Sequence, residues 1–467
     1  MISFFPNQIA SKGIYLYLGS LAAVTLVFHR YAMGIEYIAL GVMWVVGFFL
    51  LTSLCSKKWG TLVEKQFLWT LFFTSLGLRW AWVIFSFFFY TVKTGMPFEF
   101  SAADSLMYWD ESAWLAGEKW ATIRDYLFVN RKTVSDSGYI FYLTYLCKIM
   151  GTDVIPVRLF NAVLSAGTVL LIYLLAKRNI GETGGRLAAI FACFMPNLIY
   201  YCGLHLKETV MIALVVAFLE RADYLLRSRR YNVLTIAVPI LLAAILFTFR
   251  TVLGATAIFS LATAIVFTST QIVGRRKRTL LIVWGLLAVL TLWGGTARTE
   301  AEGLWEMRFE NQDAKRAAQT AQGNRWAKYA TGTVMAPIMF VMPFPTMVDV
   351  DEQYNQQVVS GGNYIRNFLG GFVIIALFSA VFVNKNWRNL LLIGSFVIVY
   401  LGIISASGFA NSERFLLPAL PGLLIIAAYG VTRLDAKNYR IIKVWYWVIP
   451  AMILGWAFFK IGSRSLL

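Results

Sequence analysis

Apolar residues run along this chain in long blocks, separated by short basic turns and by two long polar segments. Crossing a ~30 Å hydrocarbon layer at 1.5 Å per residue takes about 20 apolar residues. Blocks of that kind lie near 13–31, 34–53, 66–92, 154–176, 184–203, 208–226, 231–249, 251–272 and 279–297, and then near 364–384, 389–408, 414–433 and 442–462. The pattern predicts an all-α polytopic membrane protein of about 13 transmembrane helices. Two large extracytoplasmic loops, at 93–153 and 298–363, are expected to carry interfacial helices. Residues 331–350 are also apolar, but the stretch is short and carries Pro337, Pro343 and Pro345. It reads as a re-entrant or interfacial segment of the second loop, since non-helical backbone at membrane depth needs protein cover or a cavity. The chain thus divides into N-terminal helices (1–65), a module containing the first loop (66–297), the second loop (298–363) and C-terminal helices (364–467).

The basic turns set the orientation. Lys57, Lys58 and Lys65; Lys177, Arg178 and Arg186; Arg227, Arg229 and Arg230; Arg275, Arg276, Lys277 and Arg278; Lys385 and Arg388; and Arg433, Lys437, Arg440 and Lys443 all fall on one side if the N-terminus is cytoplasmic. Of 467 residues, 59% are hydrophobic and 14% charged, against about 25% charged in soluble domains. That excludes a soluble enzyme, a disordered chain, a coiled coil and a disulfide scaffold. The excess of 42 Lys+Arg over 24 Asp+Glu then reads as topology-setting charge, with the lipid bilayer and not nucleic acid as partner. Cys55, Cys147, Cys193 and Cys202 show no metal-ligand spacing. The N-terminus lacks the three parts of a cleaved signal peptide, so the first helix is expected to be retained.

Most acidic residues lie in the two large loops, which places carboxylate chemistry on the outer face. In the first loop, Asp104 follows the third apolar block and opens a helical pattern of Leu106, Tyr108, Trp109, Ala113, Trp114 and Leu115. Tyr108, four residues on, shares a helix face with Asp104. Such an Asp suits a general base; it equally suits the cap of an amphipathic helix. Asp110 and Glu111 are the reserve carboxylates.

An Asp-x-x-x-Tyr in the first large outer loop, followed by an amphipathic stretch and a span, resembles the GT-C glycosyltransferases, among them the protein O-mannosyltransferases and the lipid A aminoarabinose transferases. Further segments carry the likeness: 135–178, which looks like the family's interface helix, Gly-containing turn and following span; 185–214, similar to its next helical pair; FTFRTVLGA at 247–255; and PFP at 343–345 followed by NSERFLLPALPGLLIIAAYGV at 411–431. The resemblance covers roughly 95–435. The family's common Asp-Glu pair is here Asp104-Ser105, and residues near Ser135–Ser137 replace the Lys-Pro-Pro of the aminoarabinose transferases. The resemblance implies a polyprenyl-phosphate sugar donor, a glycan, lipid or protein acceptor, inversion at the anomeric carbon, and an active site on the extracytoplasmic side of the cytoplasmic membrane. It places the catalytic Asp at Asp104.

Four cations project to the outer boundary against the positive-inside trend: Arg158, Lys207 (beside Glu208), Arg250 and Arg414. Each alone suits an interfacial anchor or an ion pair; as a set they suit a phosphate site. Asp104, with Asp110 or Glu111, is open to a divalent cation alongside lipid phosphate, but no oxygen-ligand spacing of a metal loop supports a metal, and no cofactor is expected. Trp109, Trp114, Trp120, Trp305 and Trp326 suit either sugar stacking or the interfacial aromatic belt. The charged stretch 303–332 reads as a solvated helix or a lid. Two rivals stand beside glycosyl transfer. One is a surface-polysaccharide polymerase or ligase using diphosphate-linked glycans; the other is a lipid or sugar transporter, which the lack of an internal repeat disfavours.

Overall fold

The computed structural model describes residues 3–129, 135–228, 232–268, 345–350, 353–406 and 413–463, with isolated positions between 273 and 283. Among the described residues no strand occurs and 84% are helical. Seven helical stretches there are long and apolar enough to cross a membrane. In chain order the helices are α1 (Asn7–Val27), α2 (Ile35–Trp59), α3 (Glu64–Thr94), α4 (Ala103–Ala116), α5 (Trp120–Arg124), α6 (Ser137–Met150), α7 (Val154–Phe194) and α8 (Pro196–Cys202). There follow α9 (Glu208–Arg227), α10 (Val233–Phe249), α11 (Thr251–Phe267), α12 (Tyr354–Val358), α13 (Ser360–Phe378), α14 (Leu391–Ala406), α15 (Leu420–Thr432) and α16 (Tyr439–Ser463). Most of the expected span at 279–297 and most of the second loop, including 331–344, Trp305 and Trp326, lie outside the described residues.

The two blocks at 154–176 and 184–203 are joined within α7. Gly181 leaves helical geometry at φ 87° and ψ 171°, a left-handed φ that only glycine adopts at low cost. The two arms fold back on each other: Gly185 lies against the backbone of Lys177, and Ser165 Oγ donates to the Leu198 carbonyl at 3.4 Å. This hairpin is the centre of the bundle. It packs on α2, α3, α9 and α15, while α13 packs on α2, α15 and α16.

At one end of the bundle the basic turns meet. Lys177 pairs with Glu64 at 2.6 Å, Arg178 with Asp223 at 2.9 Å and Arg227 with Asp223 at 2.9 Å. Arg186 donates to the carbonyls of Trp59 and Leu62. The first loop, with α4 to α6, lies at the other end.

Between α7 and α8 the helix breaks at Met195-Pro196. Pro196 has no N–H, and the last turn of any helix leaves carbonyls without intrahelical donors. Arg79 of α3, fully buried, supplies them: its guanidinium donates to the carbonyls of Ala192 (3.2 Å) and Cys193 (3.3 Å), and to Ser165 Oγ (2.7 Å) and Ser75 Oγ (2.5 Å). Arg79→Met is therefore expected to strand two interior carbonyls and lower stability by roughly 2–4 kcal/mol. Thermal unfolding in detergent checks this, and an unchanged melting temperature contradicts it.

Candidate functional site

Helix α4 begins from Ala102, which stands at its N-cap, and no side chain caps it. Asp104 occupies the first turn, where a negative charge meets the positive end of the helix dipole. Its carboxylate reaches across the bundle: Arg414 Nη2 donates to Asp104 Oδ2 at 2.5 Å. The capping alternative is thereby set aside, because the side chain serves a residue 310 positions away. Both partners stay partly open, with 43% of the Asp104 and 30% of the Arg414 side chain exposed.

The pair lines a cavity of about 320 Å³. The first loop contributes Glu99, Phe100, Ser101 and Ala103; the α8–α9 region contributes Tyr200, Tyr201, Leu204 and Leu206; Gln353, Asn355, Gln356 and Glu413 complete the wall. Asn355 fastens one side by donating to the Phe100 carbonyl at 2.7 Å. Beneath the cavity, Tyr201 donates to Glu413 Oε1 at 3.1 Å, and Asn363 Nδ2 donates to Glu413 Oε2. The Asn363 amide oxygen in turn accepts from Asn197 and Arg366, each at 3.1 Å.

Beside the cavity, four more of the expected site residues gather. Lys207 pairs with Asp136, which has a left-handed φ of 74° at the start of α6. Arg250 Nη2 lies 3.9 Å from Glu208 Oε1, and its Nη1 donates to Tyr400 at 3.1 Å. Burial pulls the Lys207 ammonium below its usual value. Tyr108 is buried edge-on against Tyr139 at 5.1 Å. Burial, then the nearby carboxylates of Asp136, Glu208 and Asp104, hold its hydroxyl well above the ordinary phenol range.

Other expected residues lie elsewhere. Arg158 is buried under the first loop, donating to His205 Nδ1 at 2.9 Å and to the Pro97 carbonyl at 2.5 Å. It is not in the cavity wall. Asp110 and Glu111 lie further along α4 and do not line the cavity either; Asp110 is exposed. Among the described residues, no group of three or more His, Cys, Asp or Glu is placed to hold a metal ion. The four cysteines are free, and Cys147, Cys193 and Cys202 are buried.

Glu99 and Glu413 were absent from the expected site. Each had a signal: Glu99 lies in the same loop segment as Asp104, just ahead of it, and Glu413 adjoins Arg414. Tyr200 and Tyr201 were hidden inside an apolar block. No family model matches the sequence, and comparison with curated proteins finds no match.

His205 shows how tightly the loop is seated. It is fully buried, packed edge-on against Trp109 at 4.7 Å, and burial followed by the Arg158 charge keeps it neutral far below its usual titration. The unfolded chain therefore binds a proton here that the folded chain refuses. Stability falls as pH drops below about 6.5. Melting temperature in detergent is expected to decline over that range in the wild type and to flatten in His205→Gln, which keeps an acceptor for Arg158. An equal decline in both contradicts the assignment.

Proposed function

We propose that the protein is a membrane glycosyltransferase that moves a sugar from a polyprenyl-phosphate donor to a glycan, lipid or protein acceptor on the outer face of the cytoplasmic membrane. The observation that carries this reading is the Asp104–Arg414 pair on the cavity wall. A carboxylate expected to be a base and a cation expected to serve phosphate come together there from opposite parts of the chain.

In this reading Asp104 removes the proton from the acceptor hydroxyl or amine as that atom attacks the anomeric carbon. The glycosyl C–O bond breaks, and its electron pair leaves with the polyprenyl phosphate. Arg414 fixes the orientation of Asp104. Among the described residues, Arg250 and Lys207 are further cations beside the cavity for the leaving phosphate, each with a carboxylate partner to exchange for it. The resemblance of the sequence to GT-C enzymes supports inversion at the anomeric carbon.

The test uses the full chain in nanodiscs with labelled polyprenyl-monophosphate sugars, following release of lipid phosphate. Asp104→Asn is expected to lower turnover by about 10²–10⁴-fold with donor binding retained. Turnover equal to wild type removes Asp104 from the mechanism. Movement of labelled lipid across the bilayer with no phosphate release from any donor favours the transporter and overturns the enzyme. A companion variant, Arg414→Gln, is expected to lower turnover in parallel, because Asp104 loses its orienting partner.

A further inference from the structure

The cavity wall carries a second carboxyl that general-base chemistry leaves idle. Glu99 is 7% exposed and lines the same cavity as Asp104. Ser105 donates to its Oε1, while its Oε2 is buried and, among the described residues, has no hydrogen-bond partner. An interior carboxyl oxygen left unpaired is costly unless something arrives to pair with it. Resting on the glycosyl-transfer reading above, we infer that this cavity selects an uncharged, hydroxyl-rich sugar ring, with Glu99 reading one of its hydroxyls, and rejects uronates.

The charge of the wall argues for that selection. Among the described residues, the lining carboxyls Glu99, Asp104 and Glu413 share one lining cation, Arg414, which is already engaged by Asp104. A carboxylate on the ring finds no unengaged cation among the described lining residues to offset its desolvation. Sugar hydroxyls both donate and accept. They suit the amides of Asn355 and Gln353 and the Glu99 carboxyl, which burial holds above the usual carboxylate range. The volume, about 320 Å³, is at the small end of ligand sites, ~300–1,000 Å³. That suits one sugar unit better than an oligosaccharide.

The experiment is saturation-transfer NMR on the full chain in nanodiscs, using the methyl glycosides of glucose, galactose, mannose, N-acetylglucosamine and glucuronic acid as probes. Binding of at least one neutral glycoside, and not of the glucuronide, is expected. Glu99→Ala should weaken that binding by about tenfold or more, and Glu99→Gln, isosteric and neutral, should keep it within about threefold. If Glu99→Ala does not fold, Glu99→Asp withdraws the carboxyl by one methylene and should weaken binding in the same direction. Glucuronide binding as tight as the neutral sugars, failure of every neutral glycoside to bind, or indifference to the Ala or Asp change overturns the inference. Glu99-dependent binding without lipid-phosphate release from any donor sinks the transfer reading alone. Asp104-dependent turnover that ignores Glu99 sinks this one alone.

Discussion

The break at Met195-Pro196 is the constraint on which the rest of the bundle depends. In an apolar interior there is no water to satisfy the carbonyls that a proline leaves bare, so a broken helix survives only where another element brings donors. Arg79 brings them, and in doing so ties α3 to both arms of the α7 hairpin. With the break held, α8 sits at a fixed place beside α3: Trp82 donates to the Tyr200 carbonyl at 3.1 Å, and Tyr90 donates to the Tyr200 hydroxyl at 3.1 Å. The cavity's aromatic wall and the contact of Asn197 with Asn363 follow from that placement.

The same rule of compensation shapes the chemistry at the cavity. Charges carried into a low-dielectric region need partners, and here the partners come from distant parts of the chain. Arg414 meets Asp104, Lys207 meets Asp136 and Arg250 meets Glu208. Each pair links a different segment to the cavity end, so the ionic network also positions the first loop over the bundle. The partial exposure of Asp104 and Arg414 sets them apart from the enclosed Glu413, whose two oxygens are occupied by Tyr201 and Asn363. The open pair is accessible from the cavity; the enclosed carboxyl holds the floor together.

Much of the architecture was legible in the sequence, because the information is local. Twenty apolar residues in a row favour a spanning helix whatever surrounds them, and basic turns announce one end of a bundle. Asp104, Lys207, Glu208, Arg250 and Arg414 could be named as boundary charges for the same reason. Their neighbours could not. Whether Arg158 serves the cavity turns on His205 and the Pro97 carbonyl, which take its Nε and Nη2 donors, and nothing in their spacing reveals that.

What the sequence by itself determined is therefore the helical class, the approximate places of the apolar elements and a short set of charged residues near one boundary. Hydrophobic period and charge act over a few residues and need no knowledge of packing. Only the tertiary structure decided that Asp104 answers Arg414 rather than capping its own helix, that Glu99 lies buried with one oxygen unpaired, and that Tyr200 and Tyr201 face a cavity. Those outcomes depend on which side chains, hundreds of positions apart, share one desolvated volume, and it is the packing of the helices that sets their partners and their exposure to water.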